Sequence, residues 1–312
     1  MMALLRGARR LATASLLSVC GAFALVQSAI ADPVTVRHAQ GETTLAAAPG
    51  KVFVFDLSAL DALDALGVPV AGVPAGPKPE RLKTYDSGKV AKVGTLFEPD
   101  LEAIAAAEPD LILIGGRSAP KYRDLERFAP TIDLTTNPKD MFGSAIENLE
   151  TLGRIFGKQK EAASVAEEMR AAAAALSAKA RTAGTALVVL TTGGRLSAYG
   201  PGSRFGVLYE TFGFYPAAKA LGGGPHGQPI SYEFLLETNP DWLFVVDRDA
   251  AIGAGGEAAA AMLDNGIVQR TKAWMEKRVV YLNGPDWYLA SGGPNSLLRA
   301  IRQIDAAVDG GS

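Results

Sequence analysis

The chain has 312 residues, with 31 Lys and Arg, 33 Asp and Glu, two His and a single Cys. Setting aside Arg6, Arg9 and Arg10 of the N-terminal segment leaves 28 bases against 33 acids, a net charge of −5, which argues against nucleic acid as a partner. Cys20 lies in that same segment, so disulfides and thiolate metal sites are excluded from the remainder.

Residues 1–31 read as a secretory signal peptide: three arginines without an acid, an apolar run from Leu16 to Val26, and the small residues Ala29 and Ala31 at a cleavage site. The run is shorter than the roughly 20 residues of a spanning helix, and no later segment supplies one. Leu17-Ser18-Val19 before Cys20 make a poor lipoprotein box, because a small residue is expected where Val19 stands. The expected product is secreted rather than lipid-anchored.

An N-terminal α/β lobe is expected over 32–140. It opens with a polar strand at 34–38 and a buried strand at 51–55. A helix follows with Leu60, Leu63 and Leu66 on one stripe, ended by Gly67, and then a strand at 68–73. Pro99 opens another helix, and Pro109-Asp110 turns it into the apolar strand LILI. This βαβ logic implies a parallel sheet. Residues 141–182, alanine-rich and amphipathic, predict a long interlobe helix, with Gly157 as the place for a bend or break. The C-terminal lobe, 183–312, repeats the plan: a strand at 186–190, Gly-rich loops, a helix from about Phe205, the strand WLFVV, a strand at 279–282, and a last helix capped by Asn295 or Ser296.

The two lobes share a pattern at a constant offset of 131 positions. Glu102, Pro109, Asp110 and Arg117 correspond to Glu233, Pro240, Asp241 and Arg248. Such spacing indicates duplicated α/β lobes rather than a solenoid of short repeats. Ligands of open α/β sheets bind outside the carboxyl ends of the strands, where Arg117 and Arg248 stand. Lys121 follows Arg117, and Arg204 sits in GPGSRFG at a helix start, a setting that favours an anion. A single loop arginine is usually just solvated; two symmetric ones point to an anionic ligand.

His226, in GGGPHGQP, and Tyr288, beside Trp287 in a Gly-flanked loop, admit two readings. One is structural packing. The other is metal ligation, with Fe³⁺ lowering the phenol pKa from about 10. One oxygen and one nitrogen would not hold free iron, but they could complete the shell of iron already held by a tetradentate chelator. Glu102 and Glu233 either complement their helix dipoles or offer one carboxylate per lobe to a symmetric basic partner.

FEPDLEAIAAAEPDLILIGGR, GPGSRFG, HGQPISYEFLLETNPDWLFVVDRDAAIG and DWYLASGGPNS resemble a periplasmic substrate-binding protein of an iron–siderophore ABC transporter, over about residues 34 to 308. The likeness is greatest to the subgroup that takes ferric catecholates such as petrobactin. It implies two Rossmann-like lobes, each with a central parallel sheet, joined by a long rigid helix (a class III periplasmic binding protein). It further implies that His226 and Tyr288 ligate Fe³⁺, that Arg117, Arg204, Arg248 and Lys121 neutralise the catecholates, with Trp287 beside them, and that Glu102 and Glu233 dock on the permease. On this reading the protein is no enzyme and holds no permanent cofactor, since Fe³⁺ arrives as a siderophore complex. Its partners are a permease with its ATPase, and a monomer is expected. Receptors for haem, cobalamin, a hydroxamate siderophore or a free divalent ion are the alternatives. Catalysis finds no support in Gly-x-Ser-x-Gly, Walker or zinc motifs.

Overall fold

The computed structural model describes residues 33–218, 221 and 226–310; the expected signal peptide and part of the GGGPHGQP loop lie outside them. The described chain opens with the antiparallel hairpin β1 (Val34–His38) and β2 (Gly41–Leu45). A first sheet then holds β3 (Val52–Val54), β4 (Gly72–Val73), β5 (Ala91–Lys92), β6 (Leu111–Ile114) and β7 (Thr131–Asp133). All its pairings are parallel, in the order β5-β4-β3-β6-β7. The four residues of β6 are wholly buried, as an apolar run covered on both faces should be. The strand expected at 68–73 is confined to its last two residues. Val68 N–H instead bonds back to the Leu63 carbonyl at 2.9 Å, and Pro69 has no N–H to give a ladder.

The second sheet contains β8 (Thr185–Thr192), β9 (Arg195–Tyr199), β10 (Tyr215–Pro216), β11 (Gln228–Ile230), β12 (Trp242–Asp247) and β13 (Val279–Tyr281). Its order is β11-β9-β8-β12-β13, with β10 also against β8. The β8, β10, β12 and β13 pairings are parallel, whereas β9 and β11 add an antiparallel edge where the glycine-rich sequence predicts loops.

The repeat is a repeat of geometry. The helices Leu101–Ala107 and Tyr232–Thr238 are capped by Asp100 and Ser231, which accept from Ala103 N–H and Phe234 N–H. Each buries one residue, Ile104 or Leu235, and each ends on a left-handed residue, Glu108 (φ 48°) or Asn239 (φ 43°). Asp110 then accepts from the N–H groups of Gly50 and Lys51 at 3.0 and 2.6 Å, and Asp241 from that of Thr185 at 2.7 Å. In each lobe, one carboxylate ties the helix exit to the start of the neighbouring strand.

The segment read as one long connector is two helices, Met141–Ile155 and Gln159–Ala183. The break is at Gly157, whose φ of 66° suits a residue without Cβ. Gly153 lets the second helix approach closely, since a Cβ there would stand 2.7 Å from Ala162 Cβ. The last helix, Pro294–Gly310, packs on Gln159–Ala183 and on Leu57–Ala65. Its cap is not Asn295 or Ser296. The carboxylate of Asp61, wholly buried and ion-paired with Arg81, accepts from Asn295 N–H at 3.3 Å and Ser296 N–H at 2.9 Å. One apolar cluster runs from Val54, Leu60 and Leu113 through Leu149 and Leu297 to Val188 and Phe244, so both sheets share a core.

Candidate functional site

In the first sheet the strand order reverses between β3 and β6, and in the second β8 and β12 are neighbours with later strands on either side. Crevices at such reversals are where open sheets bind ligands. Beyond β3 and β6 lie Asp56 and Arg117; Thr192 ends β8 and Arg248 follows β12, the two joined by an Arg248 Nη1 to Thr192 Oγ1 bond of 3.2 Å.

Both repeated arginines reach Tyr288. Arg117 Nη2 donates to the Tyr288 carbonyl at 2.6 Å, and Arg248 Nε to the Tyr288 hydroxyl at 3.0 Å. Arg204 Nη2 donates to the same carbonyl at 3.0 Å. The three guanidinium carbons stand 5.3, 5.6 and 4.5 Å from the ring centroid for Arg117, Arg248 and Arg204, within the reach of cation–π attraction. Burial alone would raise the phenol pKa. The Arg248 hydrogen bond and the charges of Arg248, Arg204 and Arg117 outweigh it and hold the hydroxyl below its ordinary value. Burial and the charge of Arg117 push Arg204 down as well. Like charges crowded in this way would be relieved by an incoming anion.

A cavity of about 630 Å³ opens beside this cluster. Asp56, Arg117 and Thr135 come to it from the first sheet's strand ends, and Arg204, His226 and Tyr288 from the second lobe. A second cavity of about 460 Å³ shares Arg204, His226 and Tyr288 and adds Thr192, Arg195 and Arg248. The site therefore offers one imidazole, one acidified phenol and several guanidinium groups. Among the described residues no three His, Cys, Asp or Glu side chains gather to hold a metal ion.

The other expected contacts lie elsewhere. Lys121 lines neither cavity; its Nζ pairs with Glu98 Oε2 at 2.7 Å and so steadies the loop that carries Phe97. Trp287 is 3% exposed and packs on Phe205 and Phe212, ring centroids 6.0 and 6.4 Å apart, in the core behind Tyr288. Both belong to wide five-residue π-type turn Pro285–Leu289, in which Ala290 N–H bonds the Pro285 carbonyl at 3.3 Å, so sequence neighbours face different sides. Glu102 and Glu233 are exposed in the first turns of their repeated helices. His38, the remaining histidine, bonds Thr43 Oγ1 at 2.9 Å away from the site.

Sequence reasoning missed Asp56, Phe97, Thr192 and Arg195. Phe97 is 58% exposed while lining the larger cavity, a large apolar ring offered at its rim. Asp56, Thr192 and Arg248 all sit where a strand ends beside a reversal, a rule that finds them once the strand order is known.

A family model for periplasmic binding protein matches residues 52–285. The petrobactin-binding protein YclQ of Bacillus subtilis is 35% identical over 281 residues, covering 88% of this chain and 87% of that protein. Its crystal structure superposes with a TM-score of 0.86 at 34% identity, over 89% of this chain and 99% of that one. The ferric-anguibactin-binding protein FatB of Vibrio anguillarum is 32% identical over 278 residues, covering 87% and 86%. The catecholate-siderophore binding protein VctP of Vibrio cholerae superposes with a TM-score of 0.83 at 32% identity, over 89% of this chain and all of that one. With two α/β lobes and a cavity lined from both, the chain belongs to the periplasmic binding protein family, whose members bind solutes rather than transform them.

Proposed function

We propose that this protein captures a ferric siderophore, an anionic ferric catecholate, in the cavity beside Tyr288 and delivers it to an ABC importer of the inner membrane. The observation that carries this reading is the convergence of Arg117, Arg204 and Arg248 on one acidified tyrosine. A phenolate is a hard donor suited to Fe³⁺. With His226 it would fill the two positions that a tetradentate chelator leaves open, while the arginines balance the negative catecholates and speed encounter. The binding habits named for YclQ and VctP agree with this choice.

Nothing in this cycle makes or breaks a covalent bond of the chelator. Iron enters with its siderophore and leaves with it. Exposed Glu102 and Glu233, one per lobe, would meet basic residues of the permease, whose ATPase drives release. We place the mature chain in the periplasm as a monomer; among the described residues no helix is long and apolar enough to cross a membrane.

The test is a titration with a ferric bis-catecholate, followed by tryptophan fluorescence and by the visible charge-transfer band. Ferric hydroxamate, haem, cobalamin, Mn²⁺ and Zn²⁺ serve as comparators. Submicromolar binding of the catecholate with a shifted band, lost in Tyr288→Phe, is the expected result. Tight binding of a comparator with no response to the catecholate would overturn it.

A further inference from the structure

Arg204, His226 and Tyr288 line both cavities, so the two adjoin at these residues. The two sides differ in charge. The larger side carries Arg117 and Arg204 together with the carboxyl group of Asp56. The smaller side carries Arg195, Arg204 and Arg248, and no acidic side chain is among the residues lining it.

Arg195 also differs from the other arginines. Arg248 is engaged with Tyr288, Thr192 and Asp249, and Arg204 with Tyr288. The exposed guanidinium of Arg195 has no hydrogen bond or ion pair among the described residues. Its backbone is nevertheless fixed. Arg195 pairs with Thr192 across the β8–β9 turn, and Asp249 accepts from Gly193 N–H at 2.6 Å and from the Thr192 hydroxyl at 3.1 Å. The hairpin tip is thereby tied to the helix that presents Arg248, so the backbone that carries Arg195 is held in place.

We propose that the smaller cavity receives the more anionic arm of a two-armed ferric chelate, and that Arg195 is the residue that selects this arm. The proposal rests on the siderophore reading above. On the larger side an extra carboxylate would find Arg117 and Arg204 already bonded to the Tyr288 carbonyl, and an Asp56 carboxyl that caps Ala59 N–H and that burial pushes toward its neutral form. On the smaller side it meets the Arg195 guanidinium, which has no bond among the described residues to give up. Specificity is a difference of affinities, and here only the smaller side adds a guanidinium that no other described residue engages.

The test uses two tetradentate ferric bis-catecholates, identical except that one arm ends in a carboxylate in the first and a carboxamide in the second. Wild type should bind the carboxylate form about tenfold more tightly. Arg195→Gln should make the two equal, and Arg195→Glu should favour the carboxamide, with the charge-transfer band kept throughout. Each ratio is taken within one protein, so a partly inactive sample does not distort it. Equal binding of both chelates by wild type, or an unchanged ratio in both variants, would overturn the role of Arg195 while leaving the siderophore reading in place. Failure of wild type to bind either chelate would remove both.

Discussion

Arg248 Nε lies 3.0 Å from the Tyr288 hydroxyl oxygen, so the repeated arginine of the second lobe sets the acidity of the proposed iron ligand. Followed by phenolate absorbance, Tyr288 should ionise first, below the ordinary value of about 10. Burial pushes Tyr85, Tyr122, Tyr199, Tyr209 and Tyr281 the other way. Arg248→Gln removes both a hydrogen bond and a charge and should move the first step to higher pH. Persistence of that step in Tyr288→Phe would show that another phenol is responsible.

Tyr288→Phe keeps the ring under the three guanidinium groups and removes only the oxygen donor. It should unfold at the wild-type denaturant midpoint, yet lose the charge-transfer shift and at least about tenfold in affinity for a ferric bis-catecholate. Wild-type affinity with an unshifted band would place the iron away from this side chain.

Asp61→Ala leaves the last helix without its two capping bonds and Arg81 without its buried partner. Removing one member of a buried ion pair costs about 3–5 kcal/mol, and urea unfolding should show a loss in that range. A loss below about 1 kcal/mol would mean that solvent or rearrangement replaces the carboxylate.

Asp241 is held below the usual carboxylate range. Partial burial would raise it, but bonds from Lys272, Thr185 N–H and the Thr185 hydroxyl outweigh that. Its folded value is below its unfolded one, so its stabilisation is full above about pH 4 and fades as the pH falls through the folded value. Asp241→Asn should therefore flatten the acid limb of stability against pH. An acid limb identical to that of wild type would assign the loss to other carboxylates.

Glu102→Arg and Glu233→Arg alter exposed positions outside both cavities. Ferric catecholate binding should be unchanged in each, while uptake into cells or stimulation of the importer's ATPase falls, most in the double variant. Undiminished uptake by the double variant would remove these residues from docking.

The sequence showed the lobes because their strands are short apolar runs and their repeated turns use Pro-Asp at one spacing. It showed Arg117 and Arg248 because they come just after those strands. It hid the β9 edge, although Gly193-Gly194 before an alternating RLSAY is a hairpin signal that the glycine content masked. Trp287 was placed at the ligand through adjacency to Tyr288, but a helical turn separates the directions of neighbouring side chains. Asp61 was invisible for a different reason: its partners, Asn295 and Ser296, lie 234 and 235 residues away.

That distance governs the order in which the molecule can form. A nascent chain holds Asp61 and its partner Arg81 long before Ser296 emerges, so until nearly the whole polypeptide has arrived the carboxylate can have its ion pair but not its bonds to the last helix. Contacts this far apart in sequence are slow to close. The first lobe therefore cannot complete its packing before the last helix is present, and a chain stopped before residue 294 would carry an unfinished N-terminal half.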